Sequence, residues 1–205
     1  MTGTGPGPAP GSASATGVVA ASVPLVNVAN ALTVARLLLV PVFLVVLFVD
    51  GGQSPTWRWV AFGVFVVASL TDTFDGDLAR RWDLVTDFGK IADPIADKAL
   101  TGAALVGLSM LGELAWWITV TIAVREVAVT LLRFWVLRHG VIPASRGGKI
   151  KTLLQTVALG LAIMPLPAAL GPTVGVLILA AVVVTVATGL DYLVRALRLR
   201  ARARG

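Results

Sequence analysis

Aspartates are concentrated in one short part of this sequence, with a spacing that suits a metal ion. Seven of the 11 acidic residues lie between Asp72 and Asp97. Asp72 and Asp75 are three residues apart, and Asp93 and Asp97 are four apart, so each pair shares one face of a helix. Four carboxylates brought together repel each other unless a cation neutralises them. Because the chain has no cysteine, these oxygen donors favour a hard ion, Mg²⁺ or Mn²⁺, as one ion or as two that share a carboxylate.

The residues beside these aspartates suit a substrate that carries phosphate. Gly76 has no side chain to obstruct a ligand that approaches the helix, and Ala79 keeps the next turn small. Arg80 offers a guanidinium group with two parallel donors for phosphate oxygens. The segment therefore predicts a phosphate-binding site next to the metal site.

Membrane helices are the elements that we expect to carry these residues. The 205 residues are 57% hydrophobic and 14% charged, with a mean hydropathy of +0.88. Soluble domains contain about 25% charged residues, so this composition excludes an ordinary soluble domain, and its apolar content also excludes a disordered chain. The net charge of +6 is typical of cytoplasmic loops rich in Lys and Arg, so no nucleic-acid partner is expected.

The apolar residues form six runs, each close to the length of about 20 residues that a membrane-spanning helix needs. These runs predict an all-α integral membrane protein with six transmembrane helices, over residues 31–49, 57–79, 92–111, 114–137, 150–166 and 172–195. The connection of about 12 residues between the second and third runs makes them antiparallel neighbours. Both aspartate pairs then lie at one depth of the membrane.

Lys and Arg are distributed unevenly over the two sides of this predicted bundle. The links near 50–56, 112–113 and 166–172 contain none, and Arg58 alone lies near that side. The positive-inside rule therefore places both termini and the aspartate segment on the cytoplasmic side of a plasma membrane. We expect residues 1–22 to form a disordered tail, 23–196 the six-helix domain, and 197–205 a basic tail that contacts anionic lipids.

The aspartate segment resembles the signature of a known enzyme family. It reads Asp72-Thr-Phe-Asp75-Gly76-Asp-Leu-Ala79-Arg80, eight residues, then Gly89-Lys-Ile-Ala-Asp93-Pro-Ile-Ala-Asp97. This pattern is similar at every fixed position to D-x-x-D-G-x-x-A-R-x8-G-x-x-x-D-x-x-x-D of the CDP-alcohol phosphatidyltransferases. The flanking segments 27–36, 86–89 with 93–98, 125–126 and 148–152 resemble the branch whose acceptor is glycerol 3-phosphate. The resemblance covers about residues 25–195.

This resemblance implies a reaction and a role for each candidate residue. The family transfers a phosphatidyl group from CDP-diacylglycerol to an alcohol, here glycerol 3-phosphate, and releases CMP. The four aspartates would hold one or two ions of Mg²⁺ or Mn²⁺, and Asp97 would also deprotonate the acceptor hydroxyl. Residues implied at the CDP-diacylglycerol site are Gly76, Arg80, Asn30 and Thr86; those implied for glycerol 3-phosphate are Arg125, Arg133, Lys149 and Lys151. By analogy with relatives, we also expect a homodimer in a bacterial plasma membrane.

Several of these residues have a structural alternative. Asn30 and Thr86 could cap helices. Arg125 could be a structural partner of an aspartate or of Glu126, although adjacent residues point apart on a helix. Lys149 and Lys151 could serve only membrane topology.

The function also has alternatives. Within the family, a CMP-forming cardiolipin synthase would use phosphatidylglycerol as acceptor, and an inositol-phosphate transferase would use a phosphorylated polyol. A divalent-cation transporter is more remote, because its carboxylates are expected near the membrane midplane on broken helices.

Overall fold

The protein, described here by a computed structural model, is helical in every element that the structure describes. The backbone is described for residues 28–81, 87–137 and 146–202, and the side chains for 31–71, 95–96, 98–132, 148 and 150–201. Within these ranges the α-helices are α1 Val28–Phe48, α2 Pro55–Arg81, α3 Asp87–Met110, α4 Trp116–Leu137, α5 Arg146–Ile163 and α6 Gly171–Arg202. The all-α prediction is confirmed, whereas the N-terminal tail 1–22 lies outside the described residues.

Two stretches are long and apolar enough to cross a membrane by their length and composition. They are Ala31–Gly52 and Ala168–Ala201, with mean hydropathies of 2.7 and 2.4. Their large apolar side chains are often exposed, as at Leu38 and Val45 of α1 and Val183 of α6. Surfaces of this kind are unfavourable in water and suit a lipid environment.

The helices pack as two groups that share a core. α1 packs mainly on α2 and α3, whereas α6 packs mainly on α4 and α5, and α3 also contacts α4 and α5. Phe43 and Leu47 of α1 are buried against this core. A Cβ atom at Gly107 of α3 would lie 2.7 Å from Leu47 Cδ2, so glycine permits the close approach of α1 and α3.

Several helices continue past the apolar runs that predict them. α2 ends at Arg81 and α3 begins at Asp87, which leaves residues 82–86 between them instead of the expected 12 or so. α6 has 32 residues and would be about 48 Å long, longer than the ~30 Å hydrocarbon core. It runs through Arg202, within the segment predicted as the basic tail. Polar residues such as Arg are good helix formers, so a helix need not end where its apolar run ends.

An ion pair joins three parts of the bundle near the start of α2. Arg58 donates to both carboxylate oxygens of Glu113, at 2.9 and 2.7 Å, and to the carbonyl oxygens of Ile163 at 2.9 Å and Ala162 at 2.8 Å. Position 58 lies about 21 Å along α2 from Asp72. These bonds therefore stabilise the end of α2 remote from the aspartates.

Candidate active site

The four aspartates lie on consecutive helices that contact each other. Asp72 and Asp75 are in the last three turns of α2, and Asp93 and Asp97 are in the first three turns of α3. A short link makes such helices antiparallel neighbours. Their side chains lie outside the described residues, so their convergence on a metal ion stays a prediction. Among the side chains that are described, no three His, Cys, Asp or Glu residues are grouped as a metal site.

The residues expected at the CDP-diacylglycerol site lie near the start of α1, near the end of α2 and just before α3. Gly76 and Arg80 belong to the last two turns of α2, and Asn30 belongs to the first turn of α1. Thr86 lies outside the described residues, and the side chains of the other polar members do too. Their contacts with a nucleotide stay predictions.

Four charged residues form a cluster on three helices, here called the Glu126 cluster: Lys98, Arg125, Glu126 and Lys151. Lys98 Nζ on α3 donates to Glu126 Oε2 at 2.6 Å. Arg125 Nη1 on α4 donates to Glu126 Oε1 at 2.9 Å, and Lys151 Nζ on α5 donates to the same oxygen. One carboxylate therefore holds a cation from each of three helices.

The Glu126 cluster is partly buried and carries excess positive charge. The exposed fractions of the side chains are 8% for Lys151, 15% for Arg125, 18% for Glu126 and 37% for Lys98. Three cations surround one carboxylate, which leaves a net charge of +2 within the cluster. Uncompensated charge that is withdrawn from water is costly, so this site favours the binding of an anion.

The position of Lys98 shows where along the axis of α3 this cluster lies. Lys98 follows Asp97 directly in the helix, and consecutive helical residues rise by about 1.5 Å. The Glu126 cluster therefore contacts α3 at the level of the residue predicted to act as the base.

Arg125 is also bound on its other side by α6. Its Nε donates to the carbonyl oxygen of Thr185 at 3.0 Å, and its Nη2 donates to Thr188 Oγ1 at 2.9 Å. The structural alternative for Arg125 thus holds in one respect, since it pairs with Glu126 although the two are adjacent. The long arginine side chain makes this possible by bending toward a neighbour while its other nitrogens contact α6.

For the remaining residues expected at the acceptor site, the structure describes only the helix on which each one lies. Arg133 is on α4, about 12 Å beyond Arg125 along the axis, and Lys149 is on α5. Their side chains are outside the described residues, so of the four expected residues the structure brings together Arg125 and Lys151.

Some charged or buried polar residues of these helices are not among the predicted site residues. Lys98 and Glu126 lie within the motif flanks, and a charged residue inside an apolar helix is by itself a signal of function. Thr33 and Arg36 of α1 are almost fully buried. Gln155 lies one turn beyond Lys151, and its Oε1 is buried without a hydrogen-bond partner among the described residues. The described helices therefore bury more polar side chains than the motif alone indicates.

A cavity of about 400 Å³ lies at the other end of the bundle, beside Arg58 and Glu113. Both residues are already paired there with each other, and Arg58 also binds two carbonyl oxygens. This cavity is therefore a weaker candidate for binding an anion than the Glu126 cluster.

Comparison with known proteins places the chain in a family. Residues 26–187 match the model of the CDP-alcohol phosphatidyltransferase family. The chain is 53% identical over 183 residues to a probable phosphatidylglycerophosphate synthase of Mycobacterium tuberculosis, covering 89% of this chain and 88% of the relative. It is 35% identical over 179 residues to the CDP-diacylglycerol–glycerol-3-phosphate 3-phosphatidyltransferase of Bacillus subtilis, covering 81% and 93% of the two chains. The chain therefore belongs to the CDP-alcohol phosphatidyltransferase family.

Proposed function

We propose that this chain transfers a phosphatidyl group from CDP-diacylglycerol to glycerol 3-phosphate, giving phosphatidylglycerophosphate and CMP. The names of the relatives from Mycobacterium tuberculosis and Bacillus subtilis support this reaction. The Glu126 cluster supports an acceptor that carries a phosphate monoester, as glycerol 3-phosphate and inositol phosphate do and phosphatidylglycerol does not. Its net charge of +2 matches a phosphate monoester, which carries about −1.5 to −2 at pH 7. The names of the relatives then favour glycerol 3-phosphate.

In this reaction the acceptor hydroxyl oxygen forms a bond to the phosphorus that carries diacylglycerol. The bond from that phosphorus to the oxygen of CMP breaks, and CMP leaves with this oxygen. Asp97 takes the proton of the hydroxyl, as a general base within hydrogen-bond reach would. Arg125 and Lys151 hold the phosphate of the acceptor, together with Arg133 and Lys149. Gly76, Arg80, Asn30 and Thr86 hold CDP-diacylglycerol.

Asp72, Asp75, Asp93 and Asp97 are the residues that would hold one or two ions of Mg²⁺ or Mn²⁺. The donor set fits such ions, because it consists of carboxylates carried by two helices in contact. A bound ion would supply neutralisation of the charge on the diphosphate.

We further propose that all six helices span a bacterial plasma membrane, with both termini and the active site on the cytoplasmic side. The uneven distribution of Lys and Arg supports this orientation. The basic end of α6 then extends beyond the hydrocarbon core and contacts anionic lipids, and a homodimer is expected by analogy with relatives.

The test is an acceptor assay with the purified full-length protein. CDP-diacylglycerol and Mg²⁺ or Mn²⁺ are supplied with glycerol 3-phosphate, phosphatidylglycerol or inositol phosphate in turn, and CMP release is followed. We expect CMP release with glycerol 3-phosphate. Release with phosphatidylglycerol alone would instead identify a cardiolipin synthase, and release with inositol phosphate alone an inositol-phosphate transferase.

A further inference from the structure

Glu126 is the shared partner of every cation in its cluster. Its Oε2 accepts from Lys98, and its Oε1 accepts from Arg125 and Lys151. We propose that Glu126 is a positioning residue for the acceptor, which gathers Lys98, Arg125 and Lys151 into one phosphate-binding site. This inference rests on the proposed function, in which the acceptor is glycerol 3-phosphate, and it adds Lys98 to the residues that bind it.

The three cations of the cluster repel each other. Lys98, Arg125 and Lys151 come from three different helices, and like charges at short range in a partly buried place repel each other. The carboxylate lies between them and attracts each one. Without it, the flexible lysine side chains would move apart toward water, because Lys keeps its charge in solvent whenever its stem allows.

The cations retain donors for a ligand after binding Glu126. A lysine ammonium has three N–H donors, and in the hydrogen bonds among the described residues Lys98 and Lys151 each use one. Arg125 has five N–H donors, and within the described part of the chain three of them bind Glu126, Thr185 and Thr188. The unused donors suit the terminal oxygens of a phosphate group, which form short charge-assisted hydrogen bonds.

Removing the charge of Glu126 distinguishes a positioning role of this residue from a purely electrostatic effect on phosphate binding. Glu126→Gln raises the net charge of the cluster by one unit, so electrostatic attraction alone predicts tighter binding of a phosphate. Loss of positioning predicts weaker binding, because the cations no longer converge. The two explanations give opposite signs for the change in acceptor KM.

The experiment measures CMP release by the purified full-length wild type and by Glu126→Gln, varying glycerol 3-phosphate and CDP-diacylglycerol separately. We expect the KM for glycerol 3-phosphate to rise about tenfold or more, with the KM for CDP-diacylglycerol unchanged, as lost acceptor binding requires. Glu126→Asp keeps the charge on a shorter side chain and is expected to give an intermediate KM. An unchanged or lower acceptor KM in Glu126→Gln, or an equal rise in both KM values, overturns the inference.

Glu113→Gln is the matched control, because it removes the charge of another ion-paired glutamate at the other end of the bundle. It is expected to lower Tm without changing the acceptor KM. If Glu126→Gln does not fold, Glu126→Asp decides, since a wild-type acceptor KM in that variant overturns the inference. A wild type that releases no CMP with glycerol 3-phosphate overturns the proposed function itself, which is a distinct result.

Discussion

Arg125 passes directly over Gly189, where α4 and α6 meet. A Cβ atom at position 189 would lie 3.1 Å from Arg125 Cγ and 3.2 Å from its Nε. Contacts this short are tighter than ordinary van der Waals packing, so a side chain at this position requires Arg125 to shift by a few tenths of an ångström. The missing side chain of Gly189 therefore makes room for a cation of the proposed acceptor site.

Gly189→Ala is accordingly expected to weaken acceptor binding. The added methyl group would push Arg125 away from Thr185 and Thr188, and hydrogen bonds to a charged group contribute about 1.5–3 kcal/mol each. We expect the KM for glycerol 3-phosphate to rise roughly tenfold, measured by CMP release. Gly175→Ala, in the same helix, is the control, because a Cβ atom there would meet nothing within 4 Å. An equal effect of both substitutions would contradict this explanation.

Lys151→Ala is expected to raise the acceptor KM by about tenfold, through loss of one charge-assisted hydrogen bond to the phosphate. The KM for CDP-diacylglycerol should change little, because the cluster is assigned to the acceptor alone. Lys151→Arg keeps the charge and is expected to give a smaller change. Lys149→Ala should act in the same direction if position 149 also belongs to the acceptor site. A Lys151→Ala enzyme with wild-type kinetics would remove the residue from the site.

Much of the fold could be predicted from hydropathy, because apolar runs identify helices that lipid must surround. The run 114–137 corresponds closely to α4, Trp116–Leu137. The ends of α2 and α6 could not be predicted in this way. Hydropathy indicates where the lipid-facing part of a helix ends, whereas the helix itself ends where its backbone hydrogen bonds end. α6 continues to Arg202 through alternating Leu, Ala and Arg, all of which favour a helix.

The candidate site could be predicted only where local spacing determines it. The positions of Asp93 and Asp97 on one helix follow from their separation of four residues. The meeting of residues 98, 126 and 151 depends on how α3, α4 and α5 are rotated about their axes, which no short-range pattern specifies. Both Lys98 and Glu126 lie in the motif flanks, but their contact with each other and with Lys151 follows from the packing of the helices.

Asp93→Asn is expected to abolish transfer by removing a charged ligand of the proposed metal site. Loss of one electrostatic group that stabilises a transition state lowers kcat by roughly 10²-fold or more. CMP release measures this loss, and Tm in detergent should stay close to that of the wild type. Asp77→Asn is the control on α2, since Asp77 is outside the predicted ligand set. Substantial turnover by Asp93→Asn would contradict the metal assignment, as would full activity of the wild type after exhaustive treatment with EDTA.

Arg58→Met is expected to destabilise the protein without affecting its catalytic site. The Arg58 side chain is 7% exposed, and its loss removes four hydrogen bonds that join α2, the turn at Glu113 and the end of α5. Breaking a fully buried ion pair costs about 3–5 kcal/mol, and the 35% exposure of Glu113 reduces this to roughly 2 kcal/mol.

The double variant Arg58→Met with Glu113→Gln should recover part of the lost Tm, because it leaves no unpaired carboxylate. Thermal unfolding in detergent measures both variants. A Tm equal to that of the wild type in Arg58→Met would show that this ion pair does not hold the three segments together.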